Sequence, residues 1–194
     1  MTDSKVNHLK NRTSLTTFLA LLAILLTLFT SNPASSANQP RKILTGWIPY
    51  WSIKTSLPAV LNNADLVKEV MPFWYTLKYN SSAKAAFVAD LYAPANPSVP
   101  IATPLTALRG AGFQVIPTIT DGMDKLVLAN LLATAANRTK IAKTISDFVE
   151  VNKYDGIDLD FEGFAFVDGN KTWAKTAPLW VAFVKELSAL LHAK

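Results

Sequence analysis

Hydrophobic residues along this chain fall into alternating short and long blocks. Ile43 to Trp51, ILTGWIPYW, is a short apolar and aromatic run that reads as a buried strand. A helical stretch is expected from about Leu57 to Lys68, and Glu69 to Leu77, EVMPFWYTL, repeats the strand-like pattern. Ser81 to Asn96 has no clear period and is expected as a connection, closed by Pro94, Pro97 and Pro100. Pro104 to Gly110 begins a helix that Gly110 or Gly112 can cap. Phe113 to Thr120, FQVIPTIT, is a third strand whose turn is TDGMD at residues 120–124; Asp124 is placed to cap a short helix through Leu132. Arg138 to Lys153 is a stronger helix, because Ile141, Ile145, Phe148 and Val149 fall on one face. Tyr154 to Glu162, YDGIDLDFE, is the fourth strand-like run. From Ala177 to His192, Trp180, Phe183, Val184, Leu187, Leu190 and Leu191 make an apolar helical stripe.

Strands alternating with helices build a parallel sheet. Two architectures share that pattern. Four such units in the residues after Ala37 have the density of half a (β/α)₈ barrel, at about 250 residues for eight units. A doubly wound open sheet of four or five strands is the alternative. No glycine-rich turn follows Ile43–Trp51, so the dinucleotide-binding form of that sheet has no support.

Ahead of the first strand, Lys5, His8, Lys10 and Arg12 precede an apolar run from Leu15 to Phe29, and the small residues SNPASSA follow at 31–37. This is the order of a cleaved export signal over residues 1–37, with Ser35 and Ala37 at the cleavage positions. An uncleaved membrane anchor is the competing reading, against which the run is somewhat short for a bilayer. Either way the domain at 38–194 is expected outside the cytoplasm, with no membrane contact after cleavage.

Composition narrows the chemistry further. The chain has no cysteine, which excludes disulfides, thiolate metal sites and a cysteine nucleophile. Its two histidines, His8 and His192, lie near opposite ends, so neither a Ser-His-Asp triad nor a multi-histidine metal site is expected. Loss of residues 1–37 would take away Lys5, Lys10, Arg12 and Asp3 and lower the net charge from +5 to +3. The remaining basic residues are scattered, without the clustering that nucleic-acid binding requires. Carboxylates, hydroxyls, amides and aromatics are left, and no cofactor or metal is expected.

The carboxylates concentrate in the fourth strand. Alternation predicts that Asp158, Asp160 and Glu162 share one face, with Ile157, Leu159 and Phe161 on the other. Both faces of a parallel strand are normally buried, and like charges two residues apart repel, so at least one carboxyl should hold a proton at neutral pH. A solvated acidic face is the alternative for a D-x-D pattern, but the flanks here are apolar. A calcium loop starting at Asp158 would need a bidentate Glu where Gly169 stands. Glu162 is the last of the three, at the end of the strand where active sites of such barrels collect, and is the candidate general acid.

The segment Asp155-x-x-Asp158-x-Asp160-x-Glu162 resembles glycoside hydrolase family 18, the chitinase-like (β/α)₈ barrels, which carry D-x-x-D-x-D-x-E on their fourth strand. The GWIPYW, MPFWY and VIPTIT segments are similar to that family's first three strands. The resemblance covers roughly residues 43 to 193, so it implies an α/β (β/α)₈ barrel of which this chain supplies about the first four units. It further implies substrate-assisted, retaining hydrolysis of an N-acetyl-hexosamine polysaccharide or oligosaccharide. Glu162 would protonate the glycosidic oxygen and later serve as base toward water. Asp160 would orient the substrate's 2-acetamido group, and Asp158 would share a proton or hydrogen bond with Asp160. Asp155 and Gly156 are assigned to structure at the strand's entry.

Sugar rings stack on indole and phenol faces, and Tyr50, Trp51, Trp74 and Tyr75 lie near predicted strand ends, so these four are the candidate substrate-binding residues. Trp173 and Trp180 are expected to pack helices. Two departures from the family pattern stand out. Thr118-Ile119-Thr120-Asp121-Gly122 replaces the family's S-x-G-G segment, which leaves peptidoglycan and N-glycan cores beside chitin as substrates. The family's sixth-strand tyrosine and eighth-strand tryptophan also have no counterpart, so the chain alone is expected to be incomplete as a catalyst. A lectin-like glycan-binding barrel and an inactive remnant are the alternatives. Lectin-like relatives commonly lack the acid glutamate that is present here.

Overall fold

The computed structural model describes residues 44–193, and the export signal expected over 1–37 lies outside them. Its described strands are β1 (Leu44–Pro49), β2 (Val67–Asn80), β3 (Ala85–Asp90), β4 (Gln114–Val115), β5 (Thr118–Asp121) and β6 (Asp158–Asp160). They form a 6-stranded sheet whose parallel path runs β1-β2-β5-β6, with β3 and β4 also paired to β2. Helices α1 (Ile53–Leu61), α2 (Tyr92–Ala95), α3 (Ala102–Gly110), α4 (Val127–Leu132), α5 (Ala135–Val151) and α6 (Trp173–His192) fill the connections. The result is a curled half-barrel of parallel strands.

Several boundaries differ from the expected ones, each for a local reason. The first helix lies earlier, at Ile53–Leu61, because the chain turns at residues 62–66 and Val67 already pairs with β1. The stretch expected as an unstructured connection contains β3, antiparallel to β2 from Tyr75↔Asp90 to Asn80↔Ala85. The turn before it places Lys84 at φ 49°, a left-handed conformation more usual for Gly or Asn, which the apolar pattern does not signal. The third strand is broken into β4 and β5 around Ile116–Pro117, since proline has no N–H for the ladder. Asp124 does not cap α4. Leu126 stands at its N-cap with φ 65°, and its N–H is instead bonded by Asp168 from a distant loop at 2.5 Å. Helices α5 and α6 each begin a few residues before their predicted starts, and Thr134 caps α5 by accepting from the Asn137 N–H.

Beneath the sheet, toward the helices, lies the core. Ile48, Val70, Leu77, Val115 and Ile119 are fully buried, and Ile141, Ile145 and Val149 of α5 close on them, as the helical stripe predicted. Tyr75 turns to this side and shares a 2.5 Å hydrogen bond with the Tyr154 hydroxyl. The turn that delivers the chain into β6 is braced from α3. Arg109 donates to the carbonyls of Asn152 and Lys153 at 2.9 and 3.0 Å, and Lys153 holds a left-handed φ of 54° there.

Candidate active site

Strand register decides which side chains share the open face of the half-barrel. One lateral row runs Pro49↔Phe73, Phe73↔Thr118 and Thr118↔Asp158; a second runs Thr76↔Thr120↔Asp160. Side chains paired laterally project to the same side of a sheet. Asp158 and Asp160 therefore point away from the helical core, while Leu159 between them packs against it. Asp158 Oδ2 accepts hydrogen bonds from Thr118 Oγ1 on the adjacent β5 at 2.8 Å and from Trp47 Nε1 on β1, across the open face, at 3.1 Å, and these two bonds fix its orientation.

Glu162 is not part of the strand. Strand β6 ends at Asp160, and Glu162 has helical backbone angles, φ −70° and ψ −33°, at the start of a π-helical turn over Gly163–Val167. Its side chain is exposed just beyond the two aspartates. The Asp160 carboxyl is pushed above the ordinary carboxylate range, first by burial and then by the negative charges of Glu162, Asp158 and Asp121. The carboxylates crowded around Asp160 thus favour its protonated form more than for an ordinary aspartate.

Asp155 and Gly156 stand at the strand's entry. Asp155 Oδ2 accepts the Val115 N–H at 2.8 Å, and its own N–H donates to the Val115 carbonyl at 3.0 Å. The acidic motif's first member thereby ties the chain to β4 instead of facing the open side.

The aromatic expectations divide. Trp51 is 64% exposed, with Tyr50 half-buried at its edge at 4.9 Å between centroids. Trp74 and Tyr75 need correction. Trp74 is fully buried against Tyr92, and Tyr75 packs on Phe148 and Tyr154, so neither offers a face to a sugar in this structure. The cause is a register shift between Phe73 and Tyr75, a bulge that changes which residues face out and that no alternation rule anticipates. In their place the open side presents Trp47, 57% exposed, and Phe73, which lies between Trp47 and Trp51 at 6.0 and 5.5 Å. Alternation along β1 puts Trp47 on the same side as Pro49, but only the pairing of Pro49 with Phe73 shows that this side is the open one. Trp180 packs on Phe161 and Phe183 as expected, whereas Trp173 is half-exposed and donates to the Ala165 carbonyl at 2.7 Å.

A clasp joins the loops that follow β5 and β6. The Asp121 carboxylate accepts the N–H of Gly163 at 2.9 Å with Oδ1 and the N–H of Phe164 with Oδ2. In the other direction the buried Asp168 accepts the N–H of Leu126. Burial pushes the Asp121 carboxyl up against the opposing pull of its amide donors, and the Asp168 charge adds to the rise. Asp121 is the site-proximal residue that sequence reasoning left without a role.

No protein-family profile and no curated protein matches the sequence. Solved structures do. A chitinase from Bacteroides thetaiotaomicron superposes with a TM-score of 0.56 at 14% identity, covering 75% of this chain and 42% of that one. Catalytic domain 2 of the Group II chitinase from Ostrinia furnacalis gives a TM-score of 0.58 at 18% identity over 79% of this chain and 41% of its own. A family GH18 chitinase from Cycas revoluta, solved with allosamidin, gives 0.54 at 17% identity over 78% and 41%. The fold is that of half a family 18 barrel. The chain spans about 41% of the length of these chitinases. A chitinase mutant from Cycas revoluta was crystallised with (GlcNAc)3, so carbohydrate occupies at least one of these neighbours.

Proposed function

We propose that this chain is the acid-bearing half of an exported glycosidase that cleaves β-linked N-acetyl-hexosamine polymers, with chitin or peptidoglycan as substrate. The observation that carries the reading is the Asp158–Asp160–Glu162 series: two aspartates on the open face, with the proton affinity of Asp160 raised by its neighbours, and an exposed glutamate directly beyond. Likeness to chitinase folds and the export-like leader support it.

Glu162 donates its proton to the glycosidic oxygen as the bond to the anomeric carbon breaks. The substrate's own acetamido carbonyl oxygen attacks that carbon, so an oxazolinium-like intermediate replaces a glycosyl-enzyme. Asp160 orients the acetamido N–H and offsets the developing positive charge. Asp158, anchored by Thr118 and Trp47, holds Asp160 through a shared proton or hydrogen bond. The Glu162 carboxylate then takes a proton from water, which opens the intermediate with retained configuration. Trp47, Phe73 and Trp51 form the aromatic side of the open face, on which apolar sugar C–H faces stack.

The test compares the protein carrying a complete barrel with its Glu162→Gln variant on chito-oligosaccharides and on peptidoglycan fragments. A loss of at least about 100-fold in kcat is expected on the true substrate class. Equal hydrolysis by the two proteins would remove Glu162 as the acid.

A further inference from the structure

We propose that Asp121 is the positioning residue of this site: it grips, from the neighbouring strand, the two peptide N–H groups that immediately follow Glu162, and so aims the acid's side chain. One of the two belongs to the peptide bond that joins Glu162 to Gly163, at 2.9 Å; the other is that of Phe164. These are the first N–H groups of the helical turn, which have no partner within the turn itself, and a carboxylate is the strongest acceptor available for them.

Three features make the grip specific to this pair of loops. Asp121 is the last residue of β5, paired in register with Leu77, and the Gly122 N–H is bonded to the Leu77 carbonyl at 2.9 Å. Its backbone is thus part of the sheet and is not free to follow a moving loop. Gly122 lies so close to Thr76 Oγ1 that a Cβ there has no room, and the chain turns away directly after Asp121. At the receiving end, a Cβ on Gly163 would stand 2.8 Å from both Asp121 carboxylate oxygens, so only glycine admits the carboxylate at that distance. Asp168 bonds the Leu126 N–H back across the same gap, which holds the two loops together from both sides.

The position also has an electrostatic consequence. The Asp121 charge is one of those that raise the proton affinity of Asp160. Asp124, Lys125 and Asp168 line the small cavity around Asp121, with Asp160 at the adjoining strand end and Glu162 in the turn after it, and these are the charged groups that face it among the described residues. Replacing Asp121 therefore does two separable things: it loosens the Glu162 backbone, and it lowers the midpoint at which Asp160 loses its proton.

The inference rests on the proposed role of Glu162 for its catalytic consequence, so its test is read first by resonances that need no turnover. Full-length protein, Asp121→Asn and Asp121→Ala are compared by amide and carboxyl NMR across pH. Gly163 and Phe164 amides should follow the titration of Asp121 in the parent protein. They should shift most of all amides in the alanine variant and less in the asparagine variant, which keeps one acceptor oxygen. The Asp160 carboxyl midpoint should fall in both variants alike. Where turnover is measured in the complete barrel, alanine should lower kcat by about tenfold or more with KM within about twofold, and asparagine should restore part of it. Unmoved Gly163 and Phe164 amides, an unchanged Asp160 midpoint, or a rise in KM at constant kcat would each overturn the proposal. A parent protein without hydrolase activity would overturn the function proposed above and leave Asp121 to be judged by the resonances.

Discussion

Gly163→Ala is the most informative single change in stability terms, because the structure states what its methyl group meets. The new Cβ would sit 2.8 Å from each Asp121 oxygen, well inside van der Waals contact, so the carboxylate must withdraw. It would then give up its bonds to the Gly163 and Phe164 N–H groups. A hydrogen bond to a charged partner contributes about 1.5–3 kcal/mol, and this carboxylate is only partly shielded from water, so the pair is taken at about 3 kcal/mol. Alanine in place of glycine in a helical turn returns roughly 0.5–1 kcal/mol, leaving a net loss of about 2 kcal/mol. The assay is urea unfolding followed by tryptophan fluorescence, run as a double-mutant cycle with Asp121→Ala. Without the carboxylate the methyl has room, so Gly163→Ala should then be neutral or slightly stabilising, giving a coupling of about 2–3 kcal/mol. Gly110→Ala serves as the control, since nothing lies within 4 Å of its added Cβ. An equal cost of Gly163→Ala with and without Asp121 would refute the contact argument.

Two further outcomes follow from the same geometry. Because Asp160 binds its proton more tightly folded than unfolded, stability is lost as pH rises from the unfolded value through the folded one. Asp160→Asn should therefore stabilise at neutral pH, by up to about 1 kcal/mol given its solvent access, and the gain should vanish below about pH 4; a variant less stable at pH 7 would contradict it. Tyr75→Phe should cost about 1–2 kcal/mol by stranding the buried Tyr154 hydroxyl, and adding Tyr154→Phe should cost less than the sum of the two single changes. Strict additivity in urea unfolding would show that the hydroxyl pair contributes nothing.

Much of this arrangement was determined by the sequence alone. The alternation of short apolar runs with helical stripes specified a parallel α/β sheet, and Ile141, Ile145 and Val149 reached the core where their spacing put them. Asp158 and Asp160 share the open face as their two-residue spacing predicted, because side-chain period along a strand is a local property. Tertiary structure decided what local periods cannot encode. The bulge after Phe73 buried Trp74 and Tyr75 and brought Phe73 beside Trp47 and Trp51, since a bulge exists only relative to the strand it pairs with. Asp155 became a brace on Val115, and Asp121 a grip on the turn after Glu162, through bonds that span 40 and 42 residues. The sequence marked Asp155 as structural but not its partner, and it gave Asp121 no role, because the donors in both bonds are backbone N–H groups without a side-chain signature. Only assembly of the sheet gives them partners, and with that assembly an acidic strand becomes an ordered candidate site.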